Sequence, residues 1–351
     1  GAVGSGERYG DNYELPNATA YNETCAAIAN VYWNQRMFQL HGDSKYIDLL
    51  EKILYNGLIS GVGLDGKSFF YTNAMQIKHN SSHKDMEGER SGWFDCSCCP
   101  TNMTRLLPSL PGYMYAQKGK EVFVNLFINS NSVLTVEGKA VAIIQENNYP
   151  WNGDLKFTVS PTKGTVPFVM KVRIPGWARN EAIPSDLYAF QSASASITVI
   201  TVNGEPVKYE MASGYAVLSR TWKKNDVVEV KLPMEVRRVT ANEKLKEDIG
   251  KVALQRGPIM YCAEWADNNG RAANIILPDA ASFTTEFQPS LLNGIMTLRA
   301  EANAIITTDT EIKTVKQPFV AIPYYAWANR GKGEMMVWFP EKIKDIEILS
   351  K

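Results

Sequence analysis

The densest chemistry in the chain sits in WFDCSCCPTN, residues 93–102, where Cys96, Cys98 and Cys99 fall within four residues. Thiols this crowded can bridge, ligate a metal or act as nucleophiles. Cys98 and Cys99 are poor partners for each other, because a disulfide needs a Cα separation of about 4.4 Å or more and a trans peptide gives about 3.8 Å. A bridge from Cys25 to the cluster stays open. Five cysteines in total is an odd number, which argues against a disulfide scaffold. In AYNETCAA, Glu23 stands two residues before Cys25. With two or three nearby thiols this pair makes a candidate tetrahedral zinc site, since thiolate sulfur and carboxylate oxygen both bind zinc. The spacing is not that of a zinc finger. Residues i and i+2 also point apart on a regular helix, so this stretch must be irregular or lie at a helix start. The bland alternative makes Cys25 a core thiol and Glu23 a helix N-terminal charge.

Other reactive side chains carry less. His79 and His83 are four apart, but NSSHKDMEGE reads as a polar loop with solvated histidines. His41 falls at a helix end, where a dipole or packing role suffices. Cys262 lies in a strand pattern and reads as core. Trp177, Trp222, Trp327 and Trp338 are candidate sugar platforms, although buried sandwich aromatics are the commoner outcome. Glu7 in GAVGSGERYG, taken alone, is a surface charge. No glycine-rich phosphate loop and no G-x-S-x-G elbow occurs.

The elements that must position these groups fall into two regimes. Up to about residue 117 the signals are helical. Cys25, Ile28, Ala29, Tyr32, Trp33 and Met37 recur at three- and four-residue spacing between Thr19 and Leu40, which predicts one face of an amphipathic helix. Gly42 ends it, and a second helix is expected from Ser44 to about Ile59, with Tyr46, Ile47, Leu50, Ile53, Leu54 and Leu58 inward. TNMTRLLPSLPGYMYA is helix-like until Pro108 and Pro111 bend or end it. Residues 72–92 read as a long polar loop. After residue 118 the period becomes two. VFVNLFI, VMKVRI, ITVITV, YAVLSRTW and VVEVKL alternate as half-buried strands, and Asn203-Gly204 marks a hairpin turn. Strand-like stretches continue through KVALQRGPIMYCAEW to EMMVWFP. The expected class is α+β multidomain, with two antiparallel β-sandwiches dividing near residue 240. So few apolar helices would not close a core alone, and they read as the tail of a larger helical domain.

Composition bounds the partners. The chain has 351 residues, 45% of them apolar, enough for more than one core. Lysine plus arginine and aspartate plus glutamate balance at 37 each, which removes the simplest argument for a nucleic-acid or membrane-surface partner. No apolar run approaches the roughly 20 residues of a membrane-spanning helix. Location, whether bacterial periplasm or cytoplasm, is left open.

Three long runs, GERYGDNYELPNATAYNETCAA, LYNGLISGVGLDGKSFFYTN and WFDCSCCPTNMTRLLPSLPGYMYA, resemble the β-L-arabinofuranosidase family of glycoside hydrolases. The resemblance covers the chain as the later part of a family member. It implies the last helices of an (α/α)6 catalytic barrel over residues 1–118, a β-sandwich over 119–240 rejoined by 334–351, and a second sandwich over 241–333. It further implies zinc held by Glu23, Cys25, Cys98 and Cys99, with Cys98 as nucleophile, Glu7 as general acid/base, Tyr71 beside the nucleophile and Cys96 as a bystander. Three thiolates and a carboxylate around a divalent zinc leave a net charge of −2, so sulfur stays deprotonated yet electron-rich. The activity expected is a retaining hydrolase that releases β-L-arabinofuranose, or a related furanose-like sugar, from plant glycans. The expected partner is an arabinose-containing oligosaccharide or glycan, and a homodimer is left open. Two alternatives are a zinc-stabilised, non-catalytic carbohydrate-binding protein and, more remotely, a thiol redox protein, which the lack of a thioredoxin-like βαβ pattern disfavours.

Overall fold

The computed structural model describes residues 9–78, 88–307 and 311–345. Helices come first and strands afterwards. Helix α1 (Thr24–His41) ends at Gly42, whose backbone adopts the left-handed conformation (φ 67°) and whose N–H caps Phe38 O. Helix α2 (Ser44–Ile53) starts with the Asp43 side chain accepting from Lys45 N. It then loosens into a π-turn over Leu54–Leu58 and a 3₁₀ turn over Ile59–Gly61, short of one continuous helix to Ile59. Helix α3 (Cys98–Leu106) passes into a 3₁₀ segment, Leu107–Tyr113, where Pro108 and Pro111 prevent α-helical bonding. Among the described residues these three α-helices do not close a barrel by themselves.

The buried face of α1 differs from the expected one. Ile28, Val31, Gln35 and Phe38 face inward, whereas Ala29 and Trp33 point to solvent and Trp33 is 65% exposed. Apolar residues surround this helix on more than one side, so periodicity alone could not select the face that packs. The inward face meets Ile47 and Leu50 of α2, Met103 and Leu106 of α3, and Phe123 and Tyr215 from the strands behind.

Two sheets form the first sandwich. One, of six strands, runs in the order 205–206, 199–202, 226–231, 154–161, 139–147, 130–136. The other, of five, runs 210–212, 215–222, 166–173, 121–124, 115–118. Their inward residues, including Phe157, Val159, Met170, Trp222 and Val228, share one core. Asn203 (φ 55°) and Gly204 (φ 83°) link the paired residues Val202 and Glu205, so the predicted hairpin forms with both central residues left-handed.

The third sheet has 11 strands. Strand Ile312–Pro323 pairs with Ile295–Thr307 along most of its length and passes to Ile259–Glu264 only at Tyr261↔Pro323 and Cys262↔Ile322. Leu298 and Phe319 on one side of that junction pack with Leu254 and Tyr261 on the other, giving a common core. Val236–Ala241 pairs with Lys251–Arg256 on one side and with Tyr188–Phe190 on the other, so this sheet also draws a strand from within residues 119–240. Of the residues 334–351 expected to rejoin the first sandwich, 346–351 lie outside the described residues, and the pairing of 335–340 takes that stretch elsewhere. Met335-Met336 joins Ala263-Glu264 and Phe339-Pro340 joins Lys251-Val252, because the buried Met335, Val337, Trp338 and Phe339 fill the cores of the 11-stranded sheet. Met335-Met336 also receives Gln76-Ile77, so the beginning of the expected polar loop over residues 72–92 is a strand of the sheet. Trp222, Trp327 and Trp338 are buried, Trp177 is half-buried and Cys262 is fully buried, in keeping with core roles.

Candidate metal centre and active site

Two helix beginnings converge on one point. Cys98 and Cys99 open α3, Cys25 stands second in α1, and Glu23 precedes α1 with extended backbone (φ −63°, ψ 139°). The irregularity that a Glu-x-Cys pair demands is therefore the helix start itself. The Glu23 side chain makes no capping hydrogen bond and turns instead toward the sulfurs. Helix N-termini carry partial positive charge, so both contribute to holding anionic ligands.

The segment 70–73 is stitched to the start of α1. Thr24 N donates to Tyr71 O at 3.0 Å, Thr24 Oγ1 donates to Phe70 O at 2.8 Å, and Asn73 Nδ2 donates to Thr24 Oγ1 at 3.0 Å. Gly61 lies against the same threonine; a Cβ there would fall 2.6 Å from Thr24 Cγ2, so the close approach requires glycine. This stitching carries Tyr71 to the cluster. The Cys98 thiol donates to the Tyr71 hydroxyl at 3.2 Å. Tyr21 and Phe94 pack edge-on to the Tyr71 ring, with centroids 6.2 and 5.5 Å away.

The ligand atoms of Glu23, Cys25, Cys98 and Cys99 all lie within 4.8 Å of one another. Cys25 Sγ is 3.4 Å from Cys99 Sγ, Cys98 Sγ is 3.9 Å from Cys99 Sγ, and Glu23 Oε1 is 3.7 Å from both Cys98 and Cys99. Tetrahedral zinc, with bonds of about 2.3 Å to sulfur, sets neighbouring sulfurs about 3.8 Å apart. The donor set therefore fits such an ion in both size and chemistry, and all five cysteines are free of disulfides. Burial pushes the Cys25 thiol up to about 12 and raises Cys99 as well. Tyr71 is raised chiefly by its hydrogen bond to Cys98 and further by burial. Thiols held in this way need a cation to become thiolates near neutral pH, and loading a metal would release their protons.

Of the other candidates, Cys96 is exposed and contributes no ligand atom, and His41 stacks on Tyr46 at the end of α1. Glu7, His79 and His83 lie outside the described residues. Asn102 was not singled out from the sequence, yet its Nδ2 donates to Cys25 Sγ at 3.1 Å. Its position one helical turn beyond Cys98 and Cys99 was the signal available.

Comparison with known proteins agrees along the chain. Residues 1–112 match the β-L-arabinofuranosidase GH127 catalytic domain, 121–234 the GH127 middle domain, and 236–340 the glycoside hydrolase family 127 C-terminal domain. The chain belongs to glycoside hydrolase family 127. It is 35% identical over 362 residues to a non-reducing end β-L-arabinofuranosidase of Bifidobacterium longum subsp. longum, covering 96% of this chain and 52% of that protein. A solved GH127 β-arabinofuranosidase superposes with a TM-score of 0.93 at 46% identity, over 99% of this chain and 54% of the other. A GH127 β-L-arabinofuranosidase from Geobacillus stearothermophilus T6 gives 0.87 at 40% identity, over 97% and 53%. This family 127 chain thus spans about half the length of the relatives it matches.

Proposed function

We propose that the chain forms part of a retaining glycoside hydrolase that releases β-L-arabinofuranose, or a related furanose-like sugar, from plant glycans, with Cys98 as nucleophile. The observation that carries this reading is the gathering of Glu23, Cys25, Cys98 and Cys99 within 4.8 Å, with the Tyr71 hydroxyl against Cys98. Names of the similar proteins support the sugar. We also propose that the helical layer is part of an (α/α)6 barrel, completed by the additional length the relatives possess.

Zinc held by these four side chains would supply the positive charge that keeps the sulfurs deprotonated. Cys98 attacks the anomeric carbon while Glu7 protonates the departing glycosidic oxygen, so the bond to the leaving group breaks as the carbon–sulfur bond forms. Glu7, now a carboxylate, takes a proton from water, which displaces Cys98 from the opposite face. Two inversions restore the starting configuration. Tyr71 holds the sulfur in line. Glu23, Cys25 and Cys99 spread the negative charge without leaving their places.

The test is hydrolysis of para-nitrophenyl β-L-arabinofuranoside by the longest natural form of the protein, with metal content measured alongside. One zinc per chain is expected, and Cys98→Ser should lower turnover by several orders of magnitude. Wild-type turnover retained by Cys98→Ser would overturn the assignment.

A further inference from the structure

Helix α3 carries more than two ligands. Cys98 and Cys99 occupy its first turn, Asn102 the next, and Arg105 the one after, so that side chains three and four apart share a face. Asn102 Nδ2 lies 3.1 Å from Cys25 Sγ, which belongs to a different helix 77 residues away in sequence. This is short for an N–H donor to sulfur. The orientation of the amide is fixed from its other end, where Arg105 Nη1 donates to Asn102 Oδ1 at 3.2 Å. A guanidinium can only donate, so the atom facing it must be the amide oxygen, and the NH₂ group is left facing Cys25.

We infer that Asn102 is a positioning residue for Cys25, holding that sulfur as a non-reacting ligand of the metal through an N–H···S hydrogen bond oriented by Arg105. The inference rests on the reading that the four-residue cluster binds a metal. The two sulfurs are served differently. Cys98 faces a tyrosine hydroxyl at 3.2 Å, whereas Cys25 faces a primary amide. A hydrogen bond withdraws charge from a thiolate, so the amide steadies Cys25 as a ligand and holds its sulfur in place. It also draws α3 onto α1, so the helix that supplies two ligands braces the third from the opposite side. Outer partners of this kind typically change metal affinity by about 10- to 100-fold when removed.

The experiment compares wild type, Asn102→Ala, Asn102→Asp and Arg105→Leu, each loaded with Co²⁺ in place of zinc. Two quantities are read: Co²⁺ and Zn²⁺ affinity by competition with a chromophoric chelator, and the energy of the thiolate-to-cobalt charge-transfer band. Asn102→Ala should bind about 10-fold or more weakly and shift the band to lower energy, because the sulfur regains charge. Asn102→Asp keeps the shape, loses the donor and adds repulsion, and should bind more weakly still. Arg105→Leu frees the amide to rotate and should fall between wild type and Asn102→Ala. Melting of the metal-free proteins reports folding separately, since a merely structural asparagine would shift that melting without moving the band. Unchanged affinity and band energy in both Asn102 variants would overturn the inference while leaving the metal centre intact. A wild-type chain that binds neither ion would overturn the metal reading and the inference with it.

Discussion

The hydroxyl of Tyr71 and the sulfur of Cys98 stand 3.2 Å apart, although 27 residues separate them and neither element would present its side chain to the other without the stitching of 70–73 onto α1. A phenol in this position can donate to a thiolate and hold it on a line of attack. Tyr71→Phe should therefore lower kcat by about 10- to 100-fold with one metal still bound per chain. Steady-state kinetics with parallel metal analysis decides it; an unchanged kcat at full metal occupancy would remove Tyr71 from the mechanism.

Metal removal should be legible in thiol reactivity. Cys96 is exposed, Cys25 and Cys98 are partly exposed, and Cys99 and Cys262 are buried. In the metal-loaded protein a chromogenic disulfide reagent should titrate Cys96 quickly and the ligand thiols slowly. Chelation should speed Cys25 and Cys98, with Cys99 following, while Cys262 should wait for unfolding. Identical kinetics before and after chelation would mean that the cysteines hold no metal.

A buried ion network docks the helices on the first sandwich. Arg173, wholly inaccessible at the end of strand Val166–Arg173, bonds to both Glu51 and Asp48 of α2 and donates through Nε to Asn125 O. The Tyr149 hydroxyl donates to Glu51 at 2.8 Å, and Arg179 reaches Asp48 at 3.1 Å. Arg173→Leu leaves Glu51 without its cation in a buried setting and should cost about 3–5 kcal/mol, seen as a lowered midpoint in urea unfolding. A loss below about 1 kcal/mol would show that the network relaxes without it.

Lys52 makes the protein's stability depend on pH. Its amine donates to Gln255 Oε1 and Ala182 O, and burial lowers its pKa to about 7, with Glu51 pulling the other way. A base whose folded pKa is depressed favours the fold fully above the unfolded value, about 10.4, and loses that contribution as pH falls toward 7. Between those limits the unfolded chain binds one more proton, so wild-type stability gains about 1.4 kcal/mol per pH unit from this group. The difference between Lys52→Met and wild type should thus drift in favour of wild type from pH 7 to 10, read by urea unfolding at each pH. A difference independent of pH would mean that the lysine stays charged in the fold.

What the sequence by itself determined is what lies within a few residues along the chain. Glu23-x-Cys25 and the thiols of Cys96, Cys98 and Cys99 announced candidate metal donors by their chemistry, with the family resemblance singling out Cys98 and Cys99; alternation marked strands such as Tyr215–Trp222, and Asn203-Gly204 placed its hairpin turn because only left-handed backbone closes it. Tertiary structure decided the rest. Cys25 and Cys99 are 74 residues apart, and only the packing of α1 against α3 brings their sulfurs to 3.4 Å. The same packing chose the buried side of α1, exposed Trp33, and gave Asn102 its sulfur. Met335-Met336 joined the 11-stranded sheet because Ala263-Glu264 and Gln76-Ile77 offered open edges there. Local periodicity records which residues are apolar; which of them meet is set by contacts between segments that carry no mark of each other in the sequence.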